Sequence, residues 1–158
     1  MPSRYHGYAA ENQCCSAGIQ GITKEVIMIS ALYVVLAAIL LIKLSFDVVR
    51  LRMQYRIATG DGGSYELQTA IRVHGNAVEY LPIGCLLLLY MEMNGAAIWT
   101  VHACGLLLIL GRLFHYYGLK NREFAWRRNG MAATYISLVL MVVINIIYLP
   151  WSQFLNFD

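Results

Sequence analysis

Charge is what this sequence has least of: its 12 Lys and Arg and 9 Asp and Glu make up 13% of 158 residues. A soluble domain carries about 25%. A chain this poor in charge and rich in apolar residues is not a disordered segment, nor does it have the Glu, Lys and Arg content of a coiled coil. The four cysteines are too few for a disulfide-dense secreted scaffold. Glycine has no three-residue period, which removes collagen. A net charge of +3 supplies no electrostatic footprint for nucleic acid. Repeats, a Gly-rich phosphate loop and Ser-His-Asp spacing are all missing. Neither Cys14 with Cys15 nor Cys85 with Cys104 has metal-ligand spacing, so no metal is expected and the thiols read as small hydrophobes and free tail groups.

What the chain does have is apolar length. Hydrophobic residues reach 59% with a mean hydropathy of +0.55, and that surplus has to face lipid. A hydrocarbon core of about 30 Å takes about 20 helical residues. Val26 to Ile42, Met93 to Gly111 and Asn129 to Phe157 are uncharged runs of that order, the last ending in the interfacial aromatics Tyr148, Trp151, Phe154 and Phe157. A fourth stretch, Leu67 to Met91, is apolar but interrupted by Arg72, His74, Asn76 and Glu79. The reading is an all-α integral membrane four-helix bundle with helices at about 26–56, 65–93, 97–118 and 127–150. Residues 24–158 form the membrane domain and 1–23 a polar tail without signal-peptide order; Met28 is an alternative start.

Ten of the 12 Lys and Arg lie between Lys43 and Arg72 or between Arg112 and Arg128. The positive-inside rule then makes the first and third connections cytoplasmic and places both termini on the opposite side. An ionisable group in a spanning helix costs about 2.5–3.5 kcal/mol on insertion scales and is a functional candidate by default. At 100° per residue, Arg72, Asn76 and Glu79 share a face of helix two, where Glu79 is expected to neutralise Arg72 through Asn76. Lys43, Asp47 and Arg50 share a face of helix one, Arg112, His115 and Tyr116 one of helix three, and Arg127 and Arg128 open helix four. All four clusters fall in the same half of the membrane, a site for a small anionic or zwitterionic ligand. Arg52 and Arg56 read as headgroup-snorkelling residues. Pro82 and Gly84 read as a kink, and His102 and Asn145 as ordinary interhelical polar contacts.

In four motifs the chain resembles the MAPEG family, the membrane-associated proteins in eicosanoid and glutathione metabolism. They are Val49-Arg50-Leu51-Arg52, the stretch Arg72 to Pro82 carrying His74, Asn76 and Glu79, Gly111-Arg112 to Gly118 carrying His115, and Arg127-Arg128-Asn129-Gly130. Thr59-Gly60-Asp61-Gly62-Gly63 is similar to the bacterial branch, which implies a bacterial inner membrane. The resemblance implies a homotrimer holding glutathione between subunits near the cytoplasmic side, with Arg50, Arg72, Asn76, Glu79, Arg112, His115 and Tyr116 as glutathione contacts. It also implies a thiolate-stabilising arginine, Arg127 or Arg128. The partners would be glutathione as co-substrate, a lipophilic small-molecule electrophile or hydroperoxide, and membrane lipid. Two positions depart from relatives: Leu119 stands where several eukaryotic members have a ligand tyrosine, with Tyr116 and Tyr117 nearby, and Gly75 replaces an arginine of the prostaglandin synthase branch. The expected activity is a glutathione transferase or peroxidase. A non-enzymatic lipid- or partner-binding protein is the alternative, and a small transporter ranks third because no inverted repeat is visible.

Overall fold

The computed structural model describes residues 28–151. Four helices follow one another: α1 Ser30–Tyr55, α2 Tyr65–Met93, α3 Ile98–Lys120 and α4 Phe124–Ile147. Their ends are set by local chemistry. Ser64, extended at φ −79° and ψ 119°, caps α2 and accepts from the Leu67 amide at 3.5 Å. At the far end of α2, Gly95 takes φ 80°, so that its amide reaches Glu92 O at 3.0 Å and the Ala96 amide reaches Met91 O at 3.1 Å. This paired closure reverses the chain within Asn94–Ala97. The same left-handed stop ends α1 and α3, with Arg56 at φ 55° and Arg122 at φ 60° where glycine is usual.

Three helices, α1, α3 and α4, are long and apolar enough to cross a membrane. The fourth, α2, is less apolar because Glu66, Arg72, His74 and Glu79 occupy its first half, yet at 29 residues it is the longest. The outer surface is apolar: Leu32, Val35, Ile39, Ile42 and Phe46 of α1 and Ile136, Val139, Val143 and Ile147 of α4 are all exposed. In water such a surface would be a liability, whereas in a bilayer it faces its own solvent. Inside, Leu81, Leu88, Met91, Leu108 and Met141 are fully buried.

The tightest pairing is α3 against α4, and small residues make it. A Cβ on Gly118 would overlap the backbone nitrogen of Arg127, and one on Gly130 would overlap that of His115. Helices approach this closely in membranes through such positions, because dispersion rather than the hydrophobic effect holds them together. Gly84 plays a similar part on α2, where a Cβ would sit 2.7 Å from Leu108 Cδ2.

The bounds of two helices are corrected. Helix four begins at Phe124 rather than 127 and ends at Ile147 rather than 150. The left-handed Arg122 turns the chain within three residues, and Pro150 disfavours helix at Leu149. Arg127 and Arg128 therefore lie a turn inside α4 instead of opening it. Helix three starts at Ile98 rather than 97 and runs on to Lys120 rather than 118. Helix one is described from Ser30; its expected start at 26, like the tail with Cys14 and Cys15, lies outside the described residues.

Candidate functional site

Residues four apart stack on a helix face, and two such rows meet between α2 and α4. On α2 the row is Arg72, Asn76 and Tyr80; on α4 it is Arg127, Met131 and Tyr135. The rows begin in a cleft of about 410 Å³ lined by Tyr65, Gln68, Thr69, Arg72, Asn76, His115, Leu119 and Arg127. They close eight residues deeper, about 12 Å along the helices, where the Tyr80 and Tyr135 hydroxyls are hydrogen-bonded at 2.8 Å with their rings edge to face.

Arg112 of α3 lies beneath this groove and ties its walls together. It is 2% exposed. Its Nη2 donates to Asn76 Oδ1 at 2.7 Å and stands 3.5 Å from His115 Nδ1, while Nη1 approaches Met131 Sδ at 3.8 Å. The guanidinium sits over the Tyr80 ring, 5.6 Å from its centroid. Because Arg112 only donates, His115 Nδ1 faces it as an acceptor. The Arg112 Nε is buried without a hydrogen-bond partner. Among the described residues no carboxylate lies within 4.0 Å of Arg112, and no acidic residue lines the cleft above it. A buried cation without an anion is expensive, and Arg112 is such a cation among the described residues.

The structure thus brings together Arg72, Asn76, Arg112, His115 and Arg127. It does not bring in the others. Arg72 and Glu79 are both exposed, and among the described residues the one ion pair is Lys43 with Asp47, at 2.6 Å. The expected neutralisation of Arg72 by Glu79 is therefore corrected: Asn76, which was to bridge them, is engaged by Arg112. Arg128 is exposed, 5.9 Å from the Phe124 ring centroid, and does not line the cleft. Arg50 and Tyr116 line a different cavity between α1, α2 and α3, where Tyr116 carries Lys43 over its ring at 4.0 Å. Leu119, in place of a tyrosine, forms an apolar wall of the α2–α4 cleft.

Sequence reasoning missed Tyr80, Met131 and Tyr135. Their signal was present as a four-residue step beyond Asn76 and Arg127, but pairing them required knowing that α2 and α4 are neighbours. The secondary readings hold: His102 Nδ1 meets Tyr33 OH at 2.8 Å, and Asn145 Nδ2 donates to Leu87 O at 2.9 Å.

The sequence model of the MAPEG family matches residues 30–147, a span that takes in all four helices. The chain belongs to the MAPEG family. It is 65% identical over 125 residues to a protein named "Inner membrane protein YecN" from Escherichia coli K12, a match covering 79% of this chain and 95% of that protein. The protein of the same name from Escherichia coli O6:H1 gives the same figures. This MAPEG protein is accordingly a helical membrane protein whose cationic cleft lies at the end of the bundle where α1 meets α2 and α3 meets α4.

Proposed function

We propose that this MAPEG protein is a glutathione-dependent transferase or peroxidase of a bacterial inner membrane, with its cleft toward the cytoplasm and both termini on the other side. The observation that carries the reading is the buried, carboxylate-free Arg112 beneath a cleft lined by Arg72, Asn76, His115 and Arg127. Glutathione brings two carboxylates and a thiol, and as a thiolate it brings a further negative charge. A binder of neutral lipid has no need of a buried cation.

In this reading Arg72 and Asn76 hold the tripeptide from α2, His115 and the Arg112 behind it from α3, and Arg127 faces the sulfur from α4. A free thiol with pKa about 8.5 is mostly protonated at neutral pH, and each unit of lowering corresponds to about 1.4 kcal/mol. Arg127 stabilises the thiolate while the proton leaves to water. In conjugation the C–S bond forms as a leaving group departs from the electrophile. In peroxide reduction an S–O bond forms as the O–O bond breaks, the alcohol leaves with a proton, and a second glutathione displaces water to give the disulfide. The lipophilic partner arrives through the bilayer between helices. Subunits complete the charged outer face of α2, bearing Arg72 and Glu79, in a homotrimer.

Calorimetric titration of the detergent-purified full chain with glutathione is the deciding experiment, read beside thiolate absorbance. Saturable binding with a thiolate signal is expected. The absence of both moves the protein to the lipid-binding class. A cysteine placed at Asp61 should be labelled only from the cytoplasm, and native mass spectrometry should show trimers; a monomer that still binds glutathione contradicts a shared site.

A further inference from the structure

The cavity that takes Arg50 and Tyr116 away from the cleft is itself shaped for a ligand. Its volume is about 320 Å³, and its walls come from α1, α2 and α3, at the small end of the range for small-molecule sites. Its depth is apolar: Leu44 and Val73 are each 3% exposed, and Leu51 and Ala70 lie above them, half-buried. Its mouth is polar, with Arg50, Glu66 and Lys120 all exposed. Val73 is seven residues from Glu66, so the cavity runs about 10 Å inward from the helix ends.

The charges at the mouth are not equally committed. Asp47 is bound by Lys43 at 2.6 Å, and Glu66 accepts from the Tyr55 hydroxyl at 2.6 Å. Arg50 and Lys120 have no carboxylate within 4.0 Å among the described residues, and Lys120 reaches only the Tyr116 hydroxyl, at 3.5 Å. Two cations with unused donors therefore stand at the mouth above Leu44 and Val73, while of the two carboxylates in the lining Asp47 is paired with Lys43 and Glu66 accepts from a neutral hydroxyl.

We propose that this cavity binds a long-chain anion, its carboxylate or phosphate head between Arg50 and Lys120 and its hydrocarbon against Leu44 and Val73. A small soluble anion would leave the shaft unfilled, and a neutral lipid would leave both cations unmatched. The two clefts share Tyr65 and Thr69 as walls, which puts the bound amphiphile on the opposite side of the first turns of α2 from the α2–α4 groove. The amphiphile can occupy this cavity whether or not glutathione occupies that groove.

The full chain is reconstituted in nanodiscs of phosphatidylcholine and irradiated with a diazirine-bearing long-chain carboxylate, and the labelled peptides are mapped by mass spectrometry. Saturable labelling around Leu44, Ala70 and Val73 is expected, competed by dodecanoate. Ala70→Phe should abolish it by filling the shaft. Lys120→Gln should weaken it about tenfold or more, the loss of one charge-assisted contact. Dodecyl phosphate competing as well as dodecanoate assigns the site to anionic heads in general, and a preference for either names the source; both outcomes support the proposal. Labelling spread evenly over the lipid-facing helices, equal labelling by a neutral diazirine alcohol, or competition by acetate or inorganic phosphate alone would each overturn it. Glutathione titration of the Ala70→Phe and Lys120→Gln proteins keeps the two readings separate, since loss of one binding event with the other intact fails only one of them.

Discussion

The two ends of the bundle handle charged side chains in opposite ways. At the end holding the Asn94–Ala97 turn, polar side chains are used to join helices. Glu92 of α2 accepts from the Ile29 and Ser30 amides at 2.6 and 2.8 Å, placing a carboxylate on the unpaired donors at the start of α1. Tyr33 holds His102, and Asn145 holds the Leu87 carbonyl. At the other end the cations exceed their partners: Arg112 is buried with one nitrogen unbonded, and Arg50, Arg72 and Arg127 have no carboxylate within 4.0 Å among the described residues. In lipid an unanswered charge costs more than an answered one; the first end answers its carboxylate within the chain, and the second leaves its cations without an anion among the described residues.

That contrast is broken most directly at Arg112. Arg112→Met should weaken glutathione binding by at least about a hundredfold, the loss of roughly 3 kcal/mol of charged hydrogen bonding, while leaving the melting temperature of the ligand-free protein unchanged or higher. Methionine removes a buried cation and fills similar volume. A large drop in melting temperature with binding intact would make Arg112 structural and erase the distinction between the ends.

Gly130→Ala should cost about 1–3 kcal/mol, because the new methyl meets the His115 backbone and the α3–α4 pair has to separate. The measurement is thermal unfolding in detergent, and binding should fall with it since His115 and Arg127 are displaced together. Next in size, Arg127→Ala should reduce turnover of a general aromatic electrophile by about tenfold to a hundredfold, through loss of a contact of about 1.5–3 kcal/mol to the thiolate. Arg128→Ala should change it less than about twofold, as expected of an exposed cation. Equal effects would mean that the single-chain cleft does not select between them.

The opposite end should show the inverse behaviour. Glu92→Ala removes two charge-assisted bonds at the α1 terminus and should destabilise the protein by about 2 kcal/mol with glutathione binding unaltered. Asn145→Ala, which removes the neutral bonds from its amide to the Leu87 and Met141 carbonyls, should cost about 1 kcal/mol on the same assay. A loss of binding in either variant would connect the two ends through the bundle.

Much of this was legible in the amino-acid order. Uncharged runs of about 20 residues admit few folds in lipid, because backbone groups there have to bond within their own segment. Helix existence and number followed, and α2 was bounded at residues 65 and 93 from its Gly-rich approach and the Asn94-Gly95 turn. That Arg72, Asn76, Arg112 and His115 stand apart from their helices was legible too, since each is polar within a stretch apolar enough for lipid, where polarity is costly. By itself the sequence determined a membrane-spanning helical bundle, a cationic end and the candidate chemistry of that end.

What it left open was everything that depends on which faces meet. Helical periodicity groups residues on one helix, but an ion pair or a cleft requires atoms from different helices within a few ångströms. The close approach of α3 and α4 through Gly118 and Gly130 is such a case, and so are the transfer of Asn76 from Glu79 to Arg112, the separation of Arg127 from Arg128 and the diversion of Arg50 and Tyr116 into a second cavity. Tertiary structure alone decided these, because helices in lipid find their register through the fit of small residues and interhelical hydrogen bonds, quantities that no single helix contains.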